Sequence, residues 1–110
     1  KNKPKLLIIG LSYKKNINDY RNSPALKIFE KFINKKSIDL QYNDKFIPSI
    51  KVSNKKFFSK KINYQKLDKF DFVILLTDHD YINYKRLLKF SKLILDCRNK
   101  YYNEKKVINL

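Results

Sequence analysis

Short apolar runs are the clearest feature of the chain. Residues 6–9 are four consecutive apolar positions that end at Gly10. A run of this length without alternation predicts a strand that is buried on both faces, at about residues 5–10. Residues 72–76 and 93–95 form two further runs of this kind. We expect residues 72–76 to be the central strand.

Two stretches between these runs have apolar residues at helical spacing. Ser23 and Pro24 have the composition of a helix N-cap followed by proline at the first helical position. Behind them one apolar stripe recurs at i, i+3, i+4, i+7 and i+8, at Ala25, Ile28, Phe29, Phe32 and Ile33. A second helical stripe consists of Tyr84, Leu87 and Leu88. Residues 64–69 predict one or two helical turns.

The middle of the chain is less regular. Ile38, Leu40 and Tyr42 alternate with polar residues, as in a half-buried strand. Residues 43–61 are mostly polar, and there we predict no regular structure beyond a short strand near residues 55–58.

Strands that alternate with helices predict βαβ units with right-handed crossovers. The fold class expected is a three-layer α/β, Rossmann-like domain with a mainly parallel sheet, in one domain over residues 1–110. In such sheets ligands bind outside the carboxyl ends of the strands. Residues 10–21, 77–80 and 96–99 follow three predicted strands, so we expect them to form one site.

Composition limits what the chain can be. Its 110 residues are 43% hydrophobic and 15% aromatic, enough for one folded domain and too few for a complete multi-domain enzyme. There is no Met, so we expect a piece cut from a longer protein. No apolar run has the roughly 18 to 20 residues of a transmembrane helix, and no signal peptide is recognisable. The single Cys and the absence of a Cys/His cluster predict no disulfide, no metal site and a cytoplasmic location.

The net charge of +16 raises the hypothesis of a basic nucleic-acid-binding module. The basic residues are 23 Lys and 3 Arg, spread through every segment. Proteins that bind phosphates and base edges rely more on Arg, because its guanidinium makes forked contacts. Without a recognition motif, we interpret the charge as a solvated Lys-rich surface and keep nucleic-acid binding as an alternative.

Four segments resemble one enzyme family. Residues 10–14 (GLSYK), followed by residues 19–25 (DYRNSPA), resemble the opening of the C-terminal domain of the UDP-glucose/GDP-mannose dehydrogenase family. Residues 42–48 (YNDKFIP) are similar to the family's Y-[HN]-D-P-[FY]-[IV]-P element, with lysine in place of the usual proline at position 45. Residues 72–79 and 95–99 resemble its T-D-H strand end and its closing V-D-T-R-N motif. The resemblance covers about residues 6–99, in the family's order.

This resemblance implies a function for the longer protein. Family members bind NAD on an N-terminal Rossmann domain, carry a catalytic Cys in a central region, and close the UDP-sugar site with this C-terminal domain. They oxidise the sugar C6 alcohol to a uronic acid in two hydride transfers. The present chain has neither the NAD-binding domain nor the catalytic Cys region, so it should be inactive alone and contains no catalytic residue.

The motif forms are most similar to those of UDP-N-acetylglucosamine 6-dehydrogenases. Dehydrogenases of UDP-N-acetylmannosamine, UDP-glucose or GDP-mannose are the alternatives. The resemblance also implies a role in bacterial surface polysaccharide synthesis, a homo-oligomer when the chain is complete, and a UDP-sugar and the rest of the chain as partners, without a membrane partner.

The resemblance assigns roles to four residues. Lys14 and Arg98 match the residues that bind the UDP-sugar, and Tyr13 matches an aromatic that shapes the same pocket. An ammonium or a guanidinium suits phosphate and sugar oxygens. Arg21 matches an arginine that approaches NAD across the domain cleft, although an ion pair with Asp19 that holds the loop is an equal alternative.

Three other polar residues follow strands without a catalytic assignment. We expect Asp96 to orient a turn. For His79, between Asp78 and Asp80, we expect a local hydrogen bond at a strand end, with acid–base chemistry or metal binding as the alternatives. Cys97 lacks a His partner in its sequence context and is interpreted as a small packing residue.

Overall fold

A computed structural model describes residues 3–110 and shows a three-layer α/β architecture. Residues 1 and 2, which belong to the predicted domain 1–110, lie outside the described residues. The central layer is a five-stranded sheet in which every neighbouring pair is parallel. In the order of the sheet, its strands are β2 (Asp39–Asn43), β1 (Lys5–Ile9), β5 (Phe72–Leu75), β6 (Ile94–Asp96) and β7 (Val107–Asn109).

Apolar side chains on both faces of the sheet form two separate cores. Leu6 and Ile8 of β1 point into the first core, and Leu7 and Ile9 point into the second core. All four are buried, because successive side chains of a strand alternate between the faces. This double burial explains why β1 is a continuous apolar run, and it confirms the predicted three-layer fold.

The first outer layer contains α1 (Pro24–Ile33) and an antiparallel hairpin of β3 (Ser49–Val52) and β4 (Lys55–Phe58). The Phe29 ring of α1 packs edge-on against Tyr42 and Phe57, with centroids 5.6 and 5.5 Å away. Helix α1 therefore lies in the position predicted from its apolar stripe.

The second outer layer contains a 3₁₀ helix (Tyr64–Lys69) and α2 (Tyr84–Phe90). Leu67 and Leu87 are buried against the opposite face of the sheet. Among residues 3–110, no helix combines the length and the apolar character needed to cross a membrane.

The predicted order of elements is confirmed, with β5 third of five strands, and two strands were missed. Strand β3 was predicted as irregular, although Ile50 and Val52 are buried in the first core. Its register is set by antiparallel pairing with β4 rather than by a long apolar pattern. Strand β7 is a short edge strand that pairs with β6 alone, and only its first residue is half-buried.

Candidate functional site

The carboxyl ends of β1, β2, β5 and β6 meet at one edge of the sheet. From β1 the chain crosses to β2 on one side, and β5 then pairs on the other side of β1. The crevice between β1 and β5 is thus the point where the strand order reverses, which is where open α/β sheets bind ligands. Residues 10–21 and 77–80 lie in the loops after β1 and β5, and residues 96–99 run from the last residue of β6 into the loop after it. The structure brings all three segments to this edge.

Close backbone packing occurs where the loop after β1 meets the end of β5. Gly10 has φ +93°, and a Cβ atom added there would lie 2.3 Å from the Thr77 Cβ and 2.6 Å from the Thr77 nitrogen. The Thr77 hydroxyl in turn donates to the Ser12 carbonyl at 3.0 Å. Only glycine permits this approach, which holds the two loops together.

A buried polar cluster of Ser12, Asp44 and His79 lies beneath these loops. The three residues are 2%, 0% and 0% exposed. His79 Nε2 is 2.9 Å from Asp44 Oδ2 and 3.0 Å from Ser12 Oγ, while His79 Nδ1 accepts the backbone N–H of Asn16 at 2.7 Å. His79 thus makes hydrogen bonds at a strand end, as expected, but its partners belong to distant segments and are not local in the sequence. Its partners lie 35, 67 and 63 positions away along the chain, so local spacing could not identify them.

The Asp44 carboxylate is the acceptor at the centre of this cluster. Burial opposes its charge and would raise the pKa. Hydrogen bonds from His79 and from the backbone N–H groups of Leu11 and Phe46 outweigh burial and lower the pKa of Asp44 below its ordinary value. Asp44 is therefore a buried anion that several donors satisfy, as a stable buried charge requires.

Tyr13 and Lys14 lie at the exposed crest of the loop after β1. Tyr13 is 53% exposed, and its backbone N–H donates to the Asp19 carbonyl at 2.7 Å. The Lys14 side chain is exposed, whereas its carbonyl accepts the Ser12 hydroxyl at 2.8 Å. Hydrogen-bonded backbone thus carries two consecutive exposed side chains here, an aromatic and an ammonium.

Arg98 reaches the same edge from the loop after β6. Its Nε is 3.4 Å from Asp78 Oδ1, and Lys100 Nζ is 3.8 Å from Asp78 Oδ2. The Arg98 side chain is 48% exposed. A half-exposed guanidinium can donate to a ligand as well as to Asp78, and phosphate oxygens are acceptors that guanidinium can bind in a forked contact.

Asp96 shapes the loop that carries Arg98. Its carboxylate is fully buried and accepts the backbone N–H groups of Arg98 and Tyr101 at 2.9 and 2.8 Å. The orienting role expected of Asp96 is confirmed. The neighbouring Cys97 packs its side chain against the first core, as expected of a packing residue. Burial raises the pKa of the Cys97 thiol.

Arg21 lies at the far end of the loop after β1. Its Nε and Nη2 donate to the Asp19 carboxylate at 3.1 and 3.3 Å, and this hydrogen bonding lowers the pKa of Asp19. The ion pair proposed from the sequence is therefore present. The Arg21 side chain is 83% exposed, so it also presents a cation to solvent.

A cavity of about 400 Å³ beside the cluster was not anticipated from the sequence. Its lining includes Asn43, Lys45, Tyr64 and Tyr81. The Tyr81 hydroxyl donates to the Asn43 side chain at 2.6 Å and accepts the Lys45 N–H at 2.8 Å. Within residues 3–110 there is no group of His, Cys, Asp and Glu side chains arranged to hold a metal ion.

Comparison with known proteins identifies the domain. The family model described as "UDP-glucose/GDP-mannose dehydrogenase family, UDP binding domain" matches residues 7–103. No curated protein matches the chain.

Solved structures show the same fold. The UDP-N-acetyl-mannosamine dehydrogenase Cap5O from Staphylococcus aureus aligns over 99% of this chain and 26% of its own, with TM-score 0.69 and 22% identity. The UDP-D-ManNAc dehydrogenase from Pyrococcus horikoshii aligns over 97% of this chain and 25% of its own, with TM-score 0.70 and 24% identity. The chain thus spans about a quarter of either protein. With the family match over residues 7–103, the chain belongs to the UDP-glucose/GDP-mannose dehydrogenase family, as its UDP-binding domain.

Proposed function

We propose that this chain is the UDP-sugar-binding C-terminal domain of an NAD-dependent nucleotide-sugar 6-dehydrogenase. The observation that carries the proposal is the coincidence of two independent features. The family match spans residues 7–103, and Lys14 and Arg98 both lie at the edge of the sheet where its strand order reverses. Two cationic donors at that edge suit a diphosphate.

The proposal assigns a role to each of the four exposed residues described at or near this edge. The Lys14 ammonium and the Arg98 guanidinium bind phosphate or sugar oxygens of the UDP-sugar, and the Tyr13 ring forms one wall of the pocket. Arg21 approaches NAD, which accepts hydride in the complete enzyme. Its 83% exposure and its ion pair with Asp19 support this role, because the guanidinium is oriented and accessible. No residue of this chain acts on the reacting carbon.

The sugar proposed is UDP-N-acetylglucosamine, oxidised at C6 to the uronic acid. The sequence forms that support it are residues 77–79 (TDH) and 96–99 (DCRN). UDP-N-acetylmannosamine, the 2-epimer, is the nearest alternative and is the sugar named for both structural neighbours. Incubating the full-length protein with NAD and each of UDP-N-acetylglucosamine, UDP-N-acetylmannosamine, UDP-glucose and GDP-mannose, followed by analysis of the uronic acid product, separates these substrates.

The wider setting follows from the same proposal. The domain works with the rest of its own chain, in a homo-oligomeric cytoplasmic enzyme that supplies uronic acids for surface polysaccharide. The isolated chain offers only part of the contacts to the nucleotide sugar, so we expect an affinity of ~1 mM and no turnover.

A nitrogen–proton NMR titration with UDP-N-acetylglucosamine tests the binding site. We expect shifts confined to residues 10–21 and 96–99. Lys14→Ala and Arg98→Ala should weaken binding about tenfold each, because each removes a charged hydrogen-bond donor. Lys36→Ala is the matched control, since this exposed lysine precedes β2 at the opposite edge of the sheet. Shifts that appear only with a DNA duplex, spread over the lysines, would instead favour the nucleic-acid alternative.

A further inference from the structure

One buried imidazole holds both sides of the loop segment that carries Lys14. On the downstream side, His79 Nδ1 accepts the Asn16 backbone N–H at 2.7 Å. On the upstream side, His79 Nε2 lies 3.0 Å from Ser12 Oγ, and that hydroxyl donates to the Lys14 carbonyl at 2.8 Å. The imidazole therefore contacts the chain two residues before and two residues after Lys14.

The hydrogen bonds define the tautomer of His79. Because the Asn16 N–H donates to Nδ1, Nδ1 has to be the unprotonated nitrogen. The proton is then on Nε2, where it faces the Asp44 carboxylate at 2.9 Å. A carboxylate on one nitrogen commonly fixes the tautomer and the ring orientation of a histidine in this way.

Asp44 anchors the imidazole to a third strand end. Its Oδ2 also accepts the Leu11 and Ser12 N–H groups at 2.7 and 3.0 Å, so the carboxylate holds the beginning of the same loop. Asp44 follows β2, Ser12 follows β1 and His79 follows β5. The cluster joins the loops on either side of the crevice beneath the exposed crest.

We infer that Asp44 and His79 are positioning residues, which fix the backbone of residues 12–16 so that the Lys14 ammonium is directed at the ligand's phosphates. The inference rests on the proposed function for the identity of the ligand. Both residues are fully buried, so they act on the ligand only through the loop. Loss of either hydrogen bond of His79, with Asp44 or with the Asn16 N–H, should leave the fold in place. It should also allow Lys14 to sample conformations that do not bind the ligand.

Two substitutions of His79 remove its hydrogen bonds with Asp44 and with Asn16 one at a time. Glutamine places its amide near the position of Nε2, so His79→Gln keeps a donor to Asp44 and loses the acceptor for Asn16. Asparagine places its carbonyl near Nδ1, so His79→Asn keeps that acceptor and loses the donor to Asp44. Ser12→Ala is a milder third variant that removes the hydrogen bond to the Lys14 carbonyl.

Ser91→Ala is the matched control for Ser12→Ala. Ser91 is 3% exposed, and its hydroxyl has no hydrogen-bond partner within the described part of the chain. Both substitutions therefore delete one buried hydroxyl, but only Ser12 touches the Lys14 loop.

The readout is the Kd for UDP, measured by NMR titration under conditions where thermal unfolding shows each variant to be folded. We expect both His79 variants and Ser12→Ala to raise Kd about three- to tenfold, the equivalent of one buried hydrogen bond, and Ser91→Ala to leave Kd unchanged. If His79→Asn fails to fold, His79→Gln and Ser12→Ala still decide the question. Imidazole nitrogen NMR of the wild type should show the proton on Nε2.

Two results would overturn the inference alone: wild-type Kd values in His79→Gln and Ser12→Ala, or an imidazole proton on Nδ1. A wild-type chain that binds neither UDP nor its sugar conjugates would overturn the proposed function itself, and the inference with it. The two failures are therefore distinguishable from the wild-type titration.

Discussion

Gly10 and Thr77 make a contact in which the conformation of one residue determines the distance between two loops. Gly10 combines a φ of +93° with a position against the backbone of Thr77, and either feature alone disfavours a side chain. The loop after β1 begins here, so this contact also fixes the position at which the loop with Tyr13 and Lys14 leaves the sheet. Glycine at this position serves both the packing of the sheet edge and the placement of the candidate site.

Replacing Gly10 with alanine should therefore destabilise the domain by about 3 kcal/mol or more, because the new methyl group would overlap the Thr77 backbone in a strained conformation. Urea unfolding measures the loss. Asn22→Gly is the matched control, since Asn22 has φ +59° on an exposed loop. That change should alter stability by less than about 1 kcal/mol and in the stabilising direction. Equal effects of the two substitutions would contradict this account of Gly10.

Asp44 predicts a specific dependence of stability on pH. Its pKa is lowered in the folded chain, so its contribution to stability is complete above the unfolded-state pKa of about 4 and is lost as the pH falls through the folded pKa. Asp44→Asn removes an anion that accepts several N–H groups and should cost about 3 kcal/mol at pH 7. The difference from wild type should shrink as the pH falls from 7 to 3, because the unfolded wild-type chain then binds a proton at Asp44 more readily than the folded carboxylate does.

Urea unfolding at both pH values measures this difference. The exposed Asp68→Asn serves as control and should change the free energy of unfolding by less than about 0.5 kcal/mol. A constant penalty for Asp44→Asn from pH 7 to pH 3 would show that the charge of Asp44 is not what stabilises the loops.

At the scale of elements, Ser23 connects helix α1 to the loop after β1. Its hydroxyl accepts the Leu26 N–H at 2.9 Å as the N-cap and donates to the Leu11 carbonyl at 2.7 Å. The residue is fully buried. The start of the helix is thereby connected to the first residues of the loop that carries Lys14.

Ser23→Ala should cost about 2 kcal/mol, since it removes an N-cap and also leaves a buried carbonyl without its donor. Asn83→Ala is the comparison at the N-cap of α2, where the side chain accepts the Arg86 N–H at 3.1 Å on the exposed surface. We expect that change to cost about 1 kcal/mol or less. Thermal unfolding of both variants checks the order, and a larger loss for Asn83→Ala would refute the argument.

Elements with a strong local pattern are those that could be predicted from the sequence. Helix α1 has Ser23 and Pro24 at its start and one continuous apolar stripe, and β1 and β5 are apolar because both of their faces are covered. Strand β3 has four residues and exists through its pairing with β4. The turn between them, Ser53 and Asn54, has positive φ without glycine, so the usual hairpin signal is missing.

The candidate site divides in the same way. Lys14 and Arg98 follow predicted strands, and the resemblance of their motifs to a family identified them. The partnership of Ser12, Asp44 and His79 joins three loops from distant parts of the chain. No periodicity reports such contacts, because they arise only when parallel strands bring their carboxyl ends to one edge.

At the scale of the whole molecule, the dominant feature is charge. A net charge of +16 is carried by a chain with a radius of gyration of 13.2 Å. Repulsion between these charges extends over about 30 Å at 0.01 M salt but only about 8 Å at physiological salt, so added salt removes most of the longer-range repulsion. The folded state concentrates these charges more than the unfolded chain does, and it bears the larger repulsion.

The domain should therefore become more stable as salt is added, with its melting temperature rising by a few degrees between roughly 0.01 and 0.2 M sodium chloride. Calorimetry at pH 7 measures the shift. Sodium fluoride at equal ionic strength is the control, because screening depends on ionic strength and not on the anion. A rise that required phosphate or UDP at low concentration would instead reflect binding of that anion. Stability that fell with added salt would mean that attractive ion pairs such as Arg98–Asp78 outweigh the repulsion.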